Sequence, residues 1–335
     1  MVKVAVDAMG GDFAPGVVVQ GVVQAVRKFD VFVYLVGPAD RIKAELAKHR
    51  KFDASRIEIV HADEIVEMHE PPAAAIRKKR NSSISLGLGL CKDKKADAFF
   101  SAGNTGAVVC GGTLKLGLLE TIERPGIAIV MPSLLGVSLI IDAGANIDPK
   151  PVHLLQYGLM GSAYYEQILG KKNPRVGLLN VGEEESKGTE FMKETYQLLE
   201  QAPINFIGNV EGRDIFSGHC DVIVCDGFVG NVTLKVSESI SETIAYFLRK
   251  ELLSSIWGKL GYLLARPCFK RFKKKIDYSE YGGAPLLGVD GIVIIGHGRS
   301  TAKAVMNAIR FAKDEVERNI NENITEQAKK LLSRA

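Results

Sequence analysis

Six short apolar runs end in glycine together with Asp, Asn, Ser or His: DAMGGD at 7–12, SAGNTGA at 101–107, DAGAN at 142–146, NVGEEESKG at 180–188, CDGFVGN at 225–231 and GHGRS at 296–300. Loops so poor in side chains let backbone N–H groups close around an anion that bulkier residues would hold off. Each loop taken singly also reads as an ordinary turn. Together they point to a shared site for phosphate or a small phosphoryl ligand.

Asp7, Asp12, Asp142 and Asp226 stand at strand ends, where a carboxylate binds a metal, orients a lysine, or caps the next helix. Capping, or bonding to loop amides, is the simpler reading of each. Asn104, Asn146, Asn180 and Asn231 serve equally as turn formers or ligand contacts. Lys187 follows three glutamates in EEESKG, so a solvated turn and a site cation are both open. His297, between Gly296 and Gly298 after an apolar run, has little room to be a core histidine and favours a site role.

Other chemistries lack their motifs. No complete G-x-G-x-x-G with a following acidic residue supports a dinucleotide, and no G-x-x-x-x-G-K-[ST] supports a nucleoside triphosphate. There is no G-x-S-x-G elbow, no Ser-His-Asp order and no H-E-x-x-H, and the six histidines are scattered. The chemistry is therefore expected to work without a protein nucleophile, a metal or a cofactor.

The elements that must carry these loops are ten short runs: VKVAV (2–6), VFVYLVG (31–37), IEIVHA (57–62), DAFFSA (97–102), GIAIVM (126–131), SLIIDA (138–143), VGLLNVG (176–182), NFIGN (205–209), DVIVCDG (221–227) and GIVIIGHG (291–298). Runs without polar alternation fit strands buried on both faces. Helical stretches between them, such as VVVQGVVQAVRKF, argue for an α/β fold with a mostly parallel sheet covered by helices. In such a sheet the six loops are expected along one carboxyl edge.

The chain of 335 residues is long enough for one large α/β domain or two smaller ones. Its net charge of +4 is too small to suggest nucleic acid as the main partner. Five cysteines without C-x-x-C or zinc spacing suit reduced thiols in a cytosol. The opening MVKVAVDAMGGD reads as a strand and loop and not as a signal peptide, and no run is long enough to span a bilayer.

Residues 249–276 stand apart. Leu252, Leu253, Ile256, Trp257, Leu260, Leu263 and Leu264 fall on one wide helical face, which Pro267 is expected to end; Lys270, Arg271, Lys273, Lys274 and Lys275 follow. The face packs on the core or a second subunit, or it lies on an anionic membrane surface with its cations toward the headgroups. RKKR at 77–80 is a second basic patch, either solvated or facing an acidic partner.

VAVDAMGGD, RKKRNSS, SAGNTGA, DAGAN, RVGLLNVGEE with Lys187-Gly188, NFIGNVEGRD, DGFVGNVTLK and YGGAPLLG follow one another from residue 2 to about residue 300. In this order they closely resemble the bacterial acyl-(acyl carrier protein):phosphate acyltransferase family of phospholipid synthesis. The resemblance implies attack of inorganic phosphate on the thioester of a long-chain acyl carrier protein, giving acyl phosphate. It also implies a Rossmann-like α/β/α fold related to isopropylmalate dehydrogenases and phosphate acetyltransferases. One domain over 1–335 with a helical hairpin at about 237–280, a homodimer, and a cytoplasmic enzyme attached peripherally to the membrane are further implications.

On that reading, phosphate is held by Asp7, Gly10, Gly11, Ser101, Gly103, Asn104, Thr105, Gly106, Asp142 and Asn146. Lys187 and His297 supply charge or a proton, oriented by Asn180, Asp226 and Asn231. Two alternatives remain: a metal-dependent decarboxylating dehydrogenase of related fold using Asp142 and Asp226, and a non-catalytic membrane scaffold that docks acyl carrier protein.

Overall fold

The computed structural model describes residues 1–276 and 282–332. Its strands are β1 (Val2–Asp7), β2 (Val31–Gly37), β3 (Ile57–His61), β4 (Ala98–Ser101), β5 (Gly126–Ser133), β6 (Gly136–Ile141), β7 (Arg175–Leu179), β8 (Asn205–Val210), β9 (Val222–Val224), β10 (Ala284–Leu287) and β11 (Ile292–Ile295). The helices are α1 (Gly16–Lys28), α2 (Ala39–Leu46), α3 (Pro72–Lys78), α4 (Ser83–Lys92), α5 (Thr105–Lys115), α6 (Pro151–Tyr164), α7 (Glu190–Glu200), α8 (Asp214–Ser217), α9 (Gly227–Ser254), α10 (Ile256–Ile276), α11 (Ala302–Glu317) and α12 (Ile320–Leu332).

The strands form one sheet in the order β3-β2-β1-β4-β11-β10-β5-β6-β9-β7-β8. Each of the ten apolar runs forms a strand, and the sheet is mostly parallel. Side chains alternate between its faces: Val4 and Val6 join the core cluster that includes α1 and α11 residues, and Ala5 joins that of α3, α4 and α5. Helices on both faces explain why the runs carry no polar alternation.

Three expectations need correction. The first concerns the edge. β10 is antiparallel to both β11 and β5, and β5 is antiparallel to β6. The block β3-β2-β1-β4-β11 therefore runs opposite to the block β6-β9-β7-β8, and the six glycine loops divide into two groups of three on opposite carboxyl edges. Strand direction depends on the length and path of connections, which apolar runs do not encode. Second, β10 (APLL) was absent from the sequence reading, because Pro285 and the flanking glycines disguise it. Third, the face expected on one helix is divided at Ser255, with Leu252 and Leu253 on α9 and Ile256, Trp257, Leu260, Leu263 and Leu264 on α10, and Pro267 lies inside α10, which continues to Ile276. On an exposed helix the carbonyl that Pro267 leaves unpaired can turn to water, so the helix persists.

α9 and α10 pack as a hairpin whose outer parts are exposed. Ile256 and Trp257 at its tip are 82% and 81% exposed. Residues 277–280 of the expected hairpin, and Tyr281 of YGGAPLLG, lie outside the described residues.

Candidate active site

The ends of β1, β4 and β11 interlock through backbone. Gly11 adopts φ +99°, open to glycine at little cost, and a Cβ there would stand 2.9 Å from the carbonyl oxygen of Gly298. The Asp12 N–H donates to that same oxygen at 2.8 Å. A Cβ on Gly10 would meet the amide nitrogen of Gly103 at 2.7 Å and Asp7 Oδ2 at 2.8 Å. Bare residues are needed here for three loops to lie in van der Waals contact.

Asp7 pins this junction from below. It is buried, accepts the Met9 N–H at 3.0 Å through Oδ1, and accepts the Ser101 hydroxyl at 2.7 Å through Oδ2. Burial pushes its carboxyl above the usual range, and hydrogen bonds from Ser83, Ser101 and loop amides pull it back. Ser101 Oγ also accepts the Gly103 N–H at 3.0 Å.

Asn104 caps α5, its Oδ1 accepting the Ala107 N–H at 3.0 Å. Its Nδ2 faces the carbonyls of Glu67, Met68 and Glu70 at 3.0–3.2 Å, tying down a strap ahead of α3. The N–H groups of Thr105 and Gly106 have no acceptor among the described residues. They are two unpaired donors at the positive end of an eleven-residue helix, on the same loop as Gly103, which meets Gly10. Sequence reasoning missed the strap, because three backbone acceptors leave no residue signature.

His297 follows β11 and is partly exposed. Its Nδ1 accepts the Arg299 N–H at 3.1 Å, leaving Nε2 to carry the proton of the neutral ring, and Nε2 lies 3.9 Å from Glu238 of α9. Through Glu238, another residue missed in sequence, α9, which starts in the second group of loops, comes near the first.

The second group forms around β6, β7 and β9. Asp142 is buried; its Oδ1 accepts the N–H groups of Ile127, Gly144 and Ala145, and its Oδ2 accepts that of Asn146. Burial raises its carboxyl, opposed by those four amides. Asn146 is engaged too: Nδ2 donates to the Pro125 carbonyl and Tyr157 hydroxyl, and its carbonyl accepts the Gly227 N–H. Asp226 caps α9 through the Val229 N–H at 2.9 Å, the simpler of its sequence readings. Asn231, one turn on, packs against Gly144.

Lys187 is exposed on the loop after β7, its stem folded over Gly182. Asn180 Nδ2 donates to the Lys187 carbonyl at 3.2 Å, and Gly188 at φ +87° passes so near that a Cβ would touch the Asn180 amide. Asn209, not singled out in sequence, donates to the Glu184 carbonyl at 3.0 Å, while its Oδ1 is buried without a partner. Two asparagines thus fix the loop that bears Lys187. Among the described residues, no hydrogen bond or ion pair joins Lys187 to His297, and no cluster of three or more His, Cys, Asp or Glu is arranged for a metal ion.

A family profile described as "Fatty acid synthesis protein" matches residues 2–323. The phosphate acyltransferase of Dictyoglomus turgidum is 50% identical over 334 residues, covering 99% of both chains. That of Geobacter sulfurreducens is 49% identical, covering 97% of this chain and 94% of the relative. Among solved structures, a phosphotransacetylase from Streptococcus pyogenes superposes with a TM-score of 0.64 at 15% identity, over 94% of each chain. A 4-hydroxythreonine-4-phosphate dehydrogenase from Klebsiella pneumoniae gives 0.55 at 12% identity, over 94% of this chain and all of the other. These structural likenesses establish a Rossmann-like fold, and with the profile and the close relatives they lead to one assignment: the chain belongs to the fatty acid synthesis protein family of phosphate acyltransferases.

Proposed function

We propose that the protein transfers a long-chain acyl group from the thioester of acyl carrier protein to inorganic phosphate, releasing acyl phosphate for phospholipid synthesis. The observation that carries this reading is the pair of Thr105 and Gly106 amides, without acceptors among the described residues, at the start of α5 on the loop whose Gly103 meets Gly10. Near neutral pH phosphate is partly a dianion and serves as its own nucleophile. A phosphate oxygen attacks the thioester carbon, the tetrahedral intermediate collapses, the C–S bond breaks, and the carrier thiolate takes up a proton.

The protein's task is to hold phosphate beside the thioester, turning a bimolecular encounter into a positioned one. It must also stabilise the oxyanion, where one well-placed donor is worth about 3 to 4 kcal/mol. Lys187 and His297 supply charge or the proton for the leaving thiolate. Asn180 and Asn231 orient that end, and Asp226 positions it by capping α9. Ser101, Gly103 and Asn104 form the pocket wall, and Asp7, Asp142 and Asn146 act on phosphate through the loops they pin.

The exposed apolar tip of the hairpin supports peripheral attachment to an anionic membrane; no helix among the described residues is long and apolar enough to cross one. Apolar positions along the first half of α9, such as Val232, Val236 and Ile240, are also exposed and suit a homodimer contact.

The test is incubation of the protein with palmitoyl carrier protein, with and without phosphate, following acyl phosphate by mass. Phosphate-dependent product is expected, and Lys187→Ala and His297→Ala should each lower turnover. Thioester loss independent of phosphate would refute the reading, and wild-type turnover in both variants would refute the charge assignment.

A further inference from the structure

Residues 72–95 contain seven Lys or Arg and a single Asp, whereas the whole chain carries only +4. The fold gathers most of these cations with one more. Arg77 and Lys78 end α3, Arg80 follows, Lys92 ends α4 and Lys115 ends α5; α3 and α4 each pack on α5.

A cation in the last turn of a helix is favoured by its dipole, which would account for each alone. It does not account for their convergence. Burial, and then the neighbouring Lys92 and Arg80, hold the Lys115 ammonium below its ordinary pKa. Burial raises the Cys110 thiol of α5, and the charge of Arg77 opposes that rise. None of Arg77, Lys78, Arg80, Lys92 or Lys115 forms an ion pair with a carboxylate among the described residues. Lys79, between them in sequence, turns away and pairs with Glu70. Leu114 lies beside Lys115 in the chain and is 56% exposed.

The position relative to the pocket matters as much as the charge. α3 begins at Pro72, whose ring touches Gly106 in the first turn of α5, and Asn104 ties the strap before it. From there α3 carries its cations about 10 Å away, and α5 sets Lys115 about 15 Å from its own N-terminus. That is the length of roughly four or five extended residues.

We propose that this α3–α4–α5 surface is where the acidic face of the acyl carrier protein docks, so that the carrier's flexible arm runs along α3 and α5 to the phosphate pocket. The inference rests on the function proposed above. Mutual repulsion among unpaired cations is relieved by an acidic partner, and the spacing suits a thioester at the end of an arm and not one bound directly in the pocket. Such surfaces act chiefly through association and register.

The test compares two thioesters, palmitoyl carrier protein and palmitoyl pantetheine, in wild type and in the Arg80→Glu/Lys115→Glu double variant. Arg80→Gln/Lys115→Gln serves as a milder pair, and thermal unfolding confirms folding. The KM for the carrier thioester should rise about tenfold or more in the Glu variant and less in the Gln variant, with pantetheine turnover unchanged. An unchanged carrier KM would overturn the docking site while leaving the proposed function intact. Equal losses on both thioesters would overturn it in favour of a structural role, and lost binding to anionic vesicles with an unchanged carrier KM would make the patch a membrane surface. If wild type makes no acyl phosphate from either thioester, the proposed function falls and this inference with it.

Discussion

Ser101 at the end of β4 donates its hydroxyl to Asp7 at the end of β1 across 2.7 Å, and the same oxygen accepts the Gly103 N–H. Two residues 94 positions apart in the chain are thereby joined beneath the glycine loops of β1 and β4. Ser101→Ala leaves a buried amide without an acceptor and removes one donor from a buried carboxyl, a loss of about 1 to 3 kcal/mol. The melting temperature should fall and the KM for phosphate rise several-fold. A phosphate KM equal to wild type would contradict the part given to this contact.

Gly106→Ala places a methyl 2.5 Å from Pro72 Cγ, a ring atom with little freedom to yield. Either α3 moves or the first turn of α5 opens, at about 1 to 3 kcal/mol. Phosphate titration should show weakened saturation with the carrier thioester held in excess. Normal saturation would mean that the pocket does not depend on this close approach.

Asn180→Ala and Asn209→Ala each release one tether of the loop that carries Lys187. Each variant should lose turnover while retaining most of its stability, since a single hydrogen bond contributes only about 1 kcal/mol. Combining either with Lys187→Ala should add little further loss, because all act on one group. Fully additive losses would place the asparagines in another role.

Glu315 is buried and paired with the Tyr164 hydroxyl at 3.0 Å, and burial pushes its carboxyl up to about 8. The protonated form is favoured in the folded state, so its stabilisation is complete below the ordinary value of 4.5 and is lost as pH rises through about 8. The loss amounts to a few kcal/mol at most. Thermal unfolding between pH 5 and 9 should decline less steeply for Glu315→Gln than for wild type (about pH 5 and 9 bracket the titration). Parallel curves would show that Glu315 ionises freely in the fold.

Leu260 and Leu263 are 47% and 62% exposed on α10. Replacing both with Glu should release the protein from anionic vesicles while turnover in solution persists. Undiminished vesicle binding would assign membrane contact to another surface.

Legibility in the sequence followed the locality of each signal. The buried strands were readable because Val4, Ala5 and Val6 must all be apolar when helices cover both faces. Asp226 was readable as a cap because the cap bond spans three residues. The reversal between the two blocks was not, since pairing of β10 with β5 joins residues more than 150 positions apart. Asp142 was readable in the same way as a carboxylate bonded to loop amides, whereas the strap that Asn104 holds was not, because its partners are backbone carbonyls carrying no residue identity. The glycine loops were readable as strand ends, but not as two groups on opposite edges, nor was the approach of Glu238 in α9 to His297.

β11 inserts between β4 and β10, yet it is made some 190 residues after β4. During synthesis the edge of β4 that β11 covers therefore stays unpaired until β11 has emerged, and the contact of Gly298 with Gly11 is absent for the same interval. A nascent chain of this protein has most of its strands before Gly298 arrives against Gly11, so the completion of that loop junction and the sealing of the β4 edge come together.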